Sequence, residues 1–549
     1  MQTKANKSAQ AFIDEGLGKL DSLNFTKKLY RRDGALWKRD VESIKFINGF
    51  LGWTEIYDWT LKQLPAVKQF ADEVRPLFNH VVLMGMGGSS LAPEVLRVIF
   101  GPQKDRPQLL VLDSTNPDWV ARVRAQIDPA KTLFIFASKS GGTVEPASQF
   151  AYFHDEVSKT SQNPGANFIA ITDPGTGLEE LAKQKNFRKI FLNPADIGGR
   201  FSALSLFGAV PAVLCGLDFE EVLKRAQKEG KNFKSDGESA AAKLGAFMGA
   251  AHEAGRDKVT LLMPSNIDSL GLWIEQLVAE STGKEGKGIL PIAGERPRRD
   301  LQYKDDRIFV HISCPGADNF IVQEAADAIA KAGLPLLSFE IEGPLDIGAQ
   351  FLLWEVATAA AGAVLQINPF DQPNVQLSKT ITKNLLADLE GGKKSPDTAA
   401  PFLASGNLKN LVKPETMMQD LRNIINPHDY IALLAYLDES AELNVIFDAL
   451  RDKIFTRFGN GVVFGYGPRY LHSTGQLHKG DGNKGIFIII TAEAREDVKI
   501  PGQKYTFGDL CAAQALADFK ALEEKGRRAV KLHFTKPAQN ELVHLTQQF

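Results

Sequence analysis

Two short stretches gather glycines and hydroxyls where a strand would hand over to a helix. In "VLMGMGGSSLAP" an apolar run meets Gly85, Gly87 and Gly88, then Ser89 and Ser90. In "FIFASKSGGTVEPASQF" the same order brings Ser138, Lys139, Ser140 and Thr143 into six residues. Glycine lets a ligand approach the backbone, and the unpaired amides and positive dipole end of a helix start favour an anion. Ser90 is placed to cap the helix that follows, with Pro93 tolerated in its first turn. One such loop is equally well a tight turn. Two of them, at the carboxyl ends of neighbouring strands, point to a phosphorylated small molecule. The competing reading is a dinucleotide site, with Gly85 and Gly87 opening a G-x-G-x-x-G pattern and Asp113 as the ribose acid. Its third glycine position is Ser90, and a nicotinamide site has no use for the second hydroxyl loop.

Other residues could move protons. In "GLWIEQLVAESTGKEGKG" the apolar spacing predicts a helix over 271–280, with Gln276 and Glu280 one turn apart on one face and Gly283 as the stop. A carboxylate in the last turn faces the negative end of the helix dipole, which disfavours its charge and suits a general base. A solvated helix-end glutamate has the same spacing. Arg200, after a glycine pair in "DIGGRFSALS", is placed to stabilise a developing oxyanion or, equally, to pair with a nearby carboxylate. "INPFDQPNVQLSKT" sets Gln372 and Lys379 two helical turns apart. His472 and His478 sit in the Gly-rich "FGYGPRYLHSTGQLHKGDG", where a metal pair would lack a third ligand and a loop pair without a special role is the simpler reading.

The elements that must position these groups follow from the apolar runs. "VVLMG", "QLLVLD", "TLFIFAS" and "NFIAITD" are continuous rather than alternating, as strands buried on both faces of a parallel sheet are. The class is α/β. Residues 1–60 read as a helical segment anchored by Trp37, Phe46, Phe50 and Trp53. A doubly wound domain spans 61–222, and a second spans 223–388 with "VTLLMPS", "RIFVHIS", "PLLSFEIEG" and "VLQIN" as strands. A Gly/Ser/Pro/Lys-rich linker covers 389–415. The order β-α-β-β-α-β over 416–549 predicts a ferredoxin-like α+β domain.

Bulk composition narrows the function classes. The chain has 549 residues, of which 44% are hydrophobic and 24% charged, with 64 basic against 66 acidic side chains. A formal charge of -2 gives no global pull toward nucleic acid or an anionic membrane. Cys215, Cys314 and Cys511 are too far apart for a disulfide framework or structural zinc and fit a reducing compartment. The amino terminus has no apolar core of a signal peptide, and the apolar stretch Ala203–Leu217 is too short to span a bilayer. A cytoplasmic protein is expected.

Taken together and in order, "GMGGSSLAP", "SKSGGTVEP", "GGRFSALS", "QLVAESTGK" and "NPFDQPNVQLSK" resemble the glucose-6-phosphate isomerase family, built from two sugar-isomerase (SIS) domains. The whole chain, "GPRYLHSTGQLHKG" included, resembles the isomerase half of bifunctional transaldolase–isomerase proteins, without the transaldolase half. The resemblance implies two tandem SIS domains, a hexose 6-phosphate substrate, and interconversion of glucose and fructose 6-phosphates through a cis-enediol. Mannose 6-phosphate is a second candidate substrate, and a non-catalytic sugar-phosphate regulator the alternative function. Gly87, Gly88 and Ser89 would line the pocket, while Ser138, Ser140 and Thr143 hold the phosphate with Lys139 beside them. Glu280 would be the base, Arg200 the enediolate partner, Gln276 and Gln372 the orienting amides, and Lys379 an aid to ring opening. It implies no metal or redox cofactor, a homodimer with shared active sites, and a functional association with a transaldolase. This sequence departs from the family at Ser140-Gly141-Gly142, where threonines are usual, and at the ring-opening histidine. His311 lies 31 positions after Glu280 but inside the strand-like "RIFVHIS". The expectation is therefore that His472 or His478, from the C-terminal domain or a neighbouring subunit, supplies the imidazole.

Overall fold

The computed structural model describes residues 2–300, 302–316, 319–393, 396–406, 408–409, 416–535 and 538–548. Strand β1 (Gln2–Ala5) precedes the helices expected at the amino terminus. The first sheet contains β2 (His80–Met84), β3 (Gln108–Leu112), β4 (Thr132–Ala137), β5 (Phe168–Thr172) and β6 (Lys189–Leu192). All are parallel, in the order β3-β2-β4-β5-β6. The second contains β7 (Lys258–Leu262), β8 (Leu290–Ile292), β9 (Arg307–Ser313) and β10 (Leu336–Glu340), parallel, with β1 antiparallel on the edge: β1-β10-β9-β7-β8.

The third sheet corrects the expected ferredoxin-like domain. Strands β12 (Tyr430–Tyr436), β13 (Gly461–Tyr466), β14 (Gly485–Ala492) and β15 (Arg528–Phe534) run parallel. Only β11 (Phe402–Ala404), inside the expected linker, is antiparallel, and the order is β11-β15-β14-β12-β13. A parallel β13-to-β14 link needs a crossover. It is made by residues 467–484, which read as a Gly-rich loop but form a turn at Arg469–His472 and a short helix at Gly475–Gly480. Strand for strand, the third sheet repeats the order and directions of the second. Within the expected linker, residues 394–395, 407 and 410–415 lie outside the described residues.

Two further expectations change. "VLQIN" is not a strand: its first residue is the last of the helix Ile347–Val364, a long apolar helix buried along its whole length. Of the four aromatic anchors, Trp37 and Trp53 are buried, whereas Phe46 is 42% exposed.

The continuous apolar runs have a packing cause. On β2 and β4, Val81, Leu83, Leu133 and Ile135 join the core shared with the second domain. Their alternates Val82, Met84, Phe134 and Phe136 join a core shared with Ile431, Leu433, Ile486 and Ile488 of the third. The opposite face of the third sheet, with Tyr430, Leu434 and Phe487, packs against Ala279, Leu290 and Ile292 of the second domain. The three domains thus have continuous apolar cores, pinned by a buried ion pair: Arg469 donates through Nε and Nη2 to the two oxygens of Asp113 at 2.8 and 2.9 Å. Removing one partner of such a pair strands the other charge. Arg469→Leu should lower stability by about 3–5 kcal/mol in urea unfolding, and Arg469→Lys should recover only part of it because lysine lacks the bidentate fork.

Candidate active site

In the first sheet the chain leaves β2 for β3 on one side and returns to β4 on the other, so the carboxyl ends of β2 and β4 flank the switch point where open α/β sheets hold ligands. Both hydroxyl-rich loops leave from there. The first turns tightly at Gly87–Ser89 and is buried. Gly87 has φ +53°, and a Cβ there would lie 2.7 Å from the His472 carbonyl oxygen and 2.8 Å from Gln276 Nε2. The loop is therefore packed against other site residues. Ser90 makes no side-chain cap; its Oγ reaches the Gly87 carbonyl and Asp113, both at 3.3 Å. Asp113 is committed to Arg469 and Ser90, which removes the ribose acid of the dinucleotide reading.

The second loop precedes the helix Val144–Ser158. Ser138 Oγ and Thr143 Oγ1 are 3.3 Å apart, and the Gly141 and Gly142 amides donate to Ser138 Oγ and Ser140 Oγ. Lys139 turns away from these hydroxyls: it pairs with Asp173 and donates to the Ala195 carbonyl at 2.9 Å.

The expected helix is present at Leu270–Thr282, and it is buried rather than solvated at its end; Glu280 is 5% exposed. Arg200 Nη1 donates to Glu280 Oε1 at 2.9 Å, so the arginine's carboxylate partner is the candidate base itself. The guanidinium is fixed on its other sides by Ser281 Oγ at 2.8 Å and by the carbonyls of Pro369 and Asp371 at 2.7 and 2.9 Å. Lys284 holds the same Asp371 through its carbonyl and carboxylate. Burial, then the Arg200 charge, lower the Lys284 pKa to about 8. The other oxygen of Glu280 accepts from Gln276 Nε2 at 3.0 Å, and that amide also donates to the His472 carbonyl at 2.8 Å.

His472 joins this machinery to the phosphate loop. Its Nε2 bonds Glu145 Oε1 at 2.9 Å, and the Gln514 amide donates to the same oxygen at 2.7 Å. Gln514 is held in turn by the Thr115 hydroxyl at 2.6 Å. Burial alone would raise the Glu145 pKa, but the charge and hydrogen bond of His472 outweigh it and hold it below the usual value. A cavity of about 490 Å³ opens here, lined by Ser140 and Thr143 from the first domain, Lys379 from the second, and His472, Lys479 and Gln514 from the third.

Several expected site residues are not brought in. His478 is fully buried among Tyr430, Tyr470 and Phe487, with neither ring nitrogen hydrogen-bonded. Burial, then Lys479 and Arg527, hold its pKa well below the usual value, so it is a core histidine. His311 is likewise buried, in β9. Gln372 is exposed before the helix Gln376–Glu390 and does not line the cavity; Glu280, Arg200 and Gln276 also lie outside its lining, but they are buried and hydrogen-bonded to one another through Glu280. Sequence reasoning missed Glu145, although it lies two positions after Thr143 in a quoted motif, and Gln514, which carries no local signal at all. Among the described residues, no three His, Cys, Asp or Glu side chains form a metal-holding group.

A buried carboxylate–guanidinium pair thus lies beside a hydroxyl loop, at the mouths of the doubly wound parallel sheets of an α/β protein. Residues 69–288 match the family model described as phosphoglucose isomerase. The glucose-6-phosphate isomerase of Campylobacter jejuni is 26% identical over 379 residues, 62% of this chain and 93% of the relative. That of Rubrobacter xylanophilus is 28% identical over 377 residues, 59% of this chain and 86% of the relative. The solved glucose-6-phosphate isomerase of Chlamydia trachomatis has the same fold over 70% of this chain and 87% of its own, with a TM-score of 0.60 at 19% identity. A hypothetical protein from Thermus thermophilus aligns with an equal TM-score, 24% identity, and coverage of 70% and 100%. Over residues 69–288 the chain is similar to phosphoglucose isomerases, and the relatives it matches are glucose-6-phosphate isomerases.

Two outcomes follow from the geometry. Gly87→Ala combines an unfavourable φ with a Cβ pressed on the His472 carbonyl, and should lower kcat/KM for a sugar-phosphate substrate by about tenfold or more in steady-state assays. Because the folded chain holds Glu145 below its unfolded value, this group's stabilisation is present above about pH 4.5 and is lost as pH falls through the folded value. In Glu145→Gln the melting temperature should therefore fall less steeply than in wild type as the pH is lowered below about pH 4.5.

Proposed function

We propose that this chain is an aldose–ketose isomerase that interconverts glucose 6-phosphate and fructose 6-phosphate by proton transfer between C1 and C2 through a cis-enediol. The observation that carries this reading is the seating of Glu280 between Arg200 and Gln276, with Gln276 reaching the His472 backbone at the rim of the hydroxyl-lined cavity. Glu280 takes the proton from one carbon and returns it to the other. The Arg200 guanidinium, already fixed by three oxygens besides Glu280, stabilises the negative oxygen of the enediolate without reorganising. Ser138, Ser140 and Thr143 hold the phosphate through hydroxyls and loop amides. His472, oriented by Glu145, passes the proton that opens the sugar ring, and Lys379, which lines the same cavity, assists. No metal or redox cofactor enters these steps.

A regulator that only sensed the sugar phosphate would gain nothing from a buried base clamped by an arginine, which favours catalysis. Mannose 6-phosphate, differing only at C2, is the second substrate within this reading. From the resemblance we extend the proposal to a cytoplasmic homodimer that works in association with a transaldolase.

The test couples fructose 6-phosphate turnover to detection of glucose 6-phosphate. Glu280→Gln should lose on the order of 100-fold or more in kcat/KM, as removal of a positioned general base does; unchanged turnover would remove Glu280 from the mechanism. His472→Ala should slow turnover of the cyclic sugar by about 100-fold while leaving affinity for 6-phosphogluconate, an open-chain acid with the same phosphate, nearly unchanged.

A further inference from the structure

One segment of the third domain, residues 469–480, reaches both of the domains that carry the proposed phosphate loop and base. Toward the first domain, Arg469 pairs with Asp113 and His472 with Glu145. Toward the second, the His472 carbonyl accepts from Gln276. Gln476 Nε2 also donates to the Gly283 carbonyl and to Asn374 Oδ1, both at 2.8 Å. The approach at Gly283 is so close that a Cβ there would lie 2.3 Å from the Leu477 Cα.

We infer that each active site is completed within a single chain: the C-terminal domain, permanently docked on the other two, brings the imidazole and closes the cavity that a neighbouring subunit would otherwise have to close. This rests on the isomerase reading above. Three observations carry it. The histidine that meets Glu145 belongs to the same chain. The docking is no hinged lid, because opening it would break the buried Arg469–Asp113 pair and separate Gln514 from Thr115 and Glu145, all buried. Finally, the docked sheet repeats the strand order and directions of the second, so one chain carries an additional domain of that architecture against the site.

The experiment mixes two full-length variants, Glu280→Gln and His472→Ala, by co-expression and by joint refolding. If sites were shared between chains, half of a randomly paired dimer population would be mixed and one of its two sites intact, restoring about a quarter of wild-type specific activity. With sites complete in each chain, every site carries one lesion, and the mixture should be no more active than the two variants measured separately. Restoration toward that quarter overturns the inference while leaving the isomerase reading in place. His472→Ala with wild-type turnover of the cyclic sugar also overturns it. A wild-type chain that does not interconvert the two hexose phosphates defeats the isomerase reading and this inference together. Should His472→Ala fold poorly, His472→Gln, whose amide can still donate to Glu145, takes its place in the same mixture.

Discussion

The arrangement of this protein depends on the contact between Arg469 and Asp113. Both groups are buried, and each is an expensive charge in that position without the other. The pair sits where the loop after β3 meets the turn that carries His472. It therefore sets the depth at which the third domain enters the space beside the first. Once that depth is set, the His472 ring lies within hydrogen-bond reach of Glu145, its carbonyl reaches Gln276, and Gly87 has room only for a hydrogen in place of a side chain.

The site is built as a chain of hydrogen bonds that crosses all three domains. From Asp371 it passes through Arg200 to Glu280, then through Gln276 to the His472 backbone, and from the His472 ring through Glu145 and Gln514 to Thr115. Nearly every member is buried, so each polar atom has few alternatives to its observed partner. A preorganised base and guanidinium of this kind lower a barrier chiefly by avoiding reorganisation during the reaction.

The apolar cores explain why the third domain is so closely integrated. Alternate residues of β2 and β4 face two different partners, so the first sheet has no solvent-facing side at these positions. The third sheet is covered in the same manner, by the first domain on one face and by the edge of the second on the other. A parallel sheet needs such cover on both faces. Here two of the covering surfaces are other domains of the same chain.

By itself the sequence determined most of the parallel strands of the first two domains, the helix stopped at Gly283, the hydroxyl loops and the placing of Gln276 and Glu280 on one helix face. All of these are local: they follow from runs of apolar residues, from glycine and proline punctuation, and from helical spacing. The ferredoxin-like reading of the third domain failed for a related reason. Residues 467–484 are too rich in glycine to announce a crossover, and without one, adjacent strands read as antiparallel. Only the tertiary structure decided that His472 is at the site and His478 in the core, six residues away, that Lys139 turns to Asp173, and that Glu145 and Gln514 belong together. Those outcomes depend on which buried charges and amides find partners when distant segments pack. No spacing along the chain encodes that, because the free energy at stake is that of desolvated groups whose partners lie from 34 to 369 residues apart.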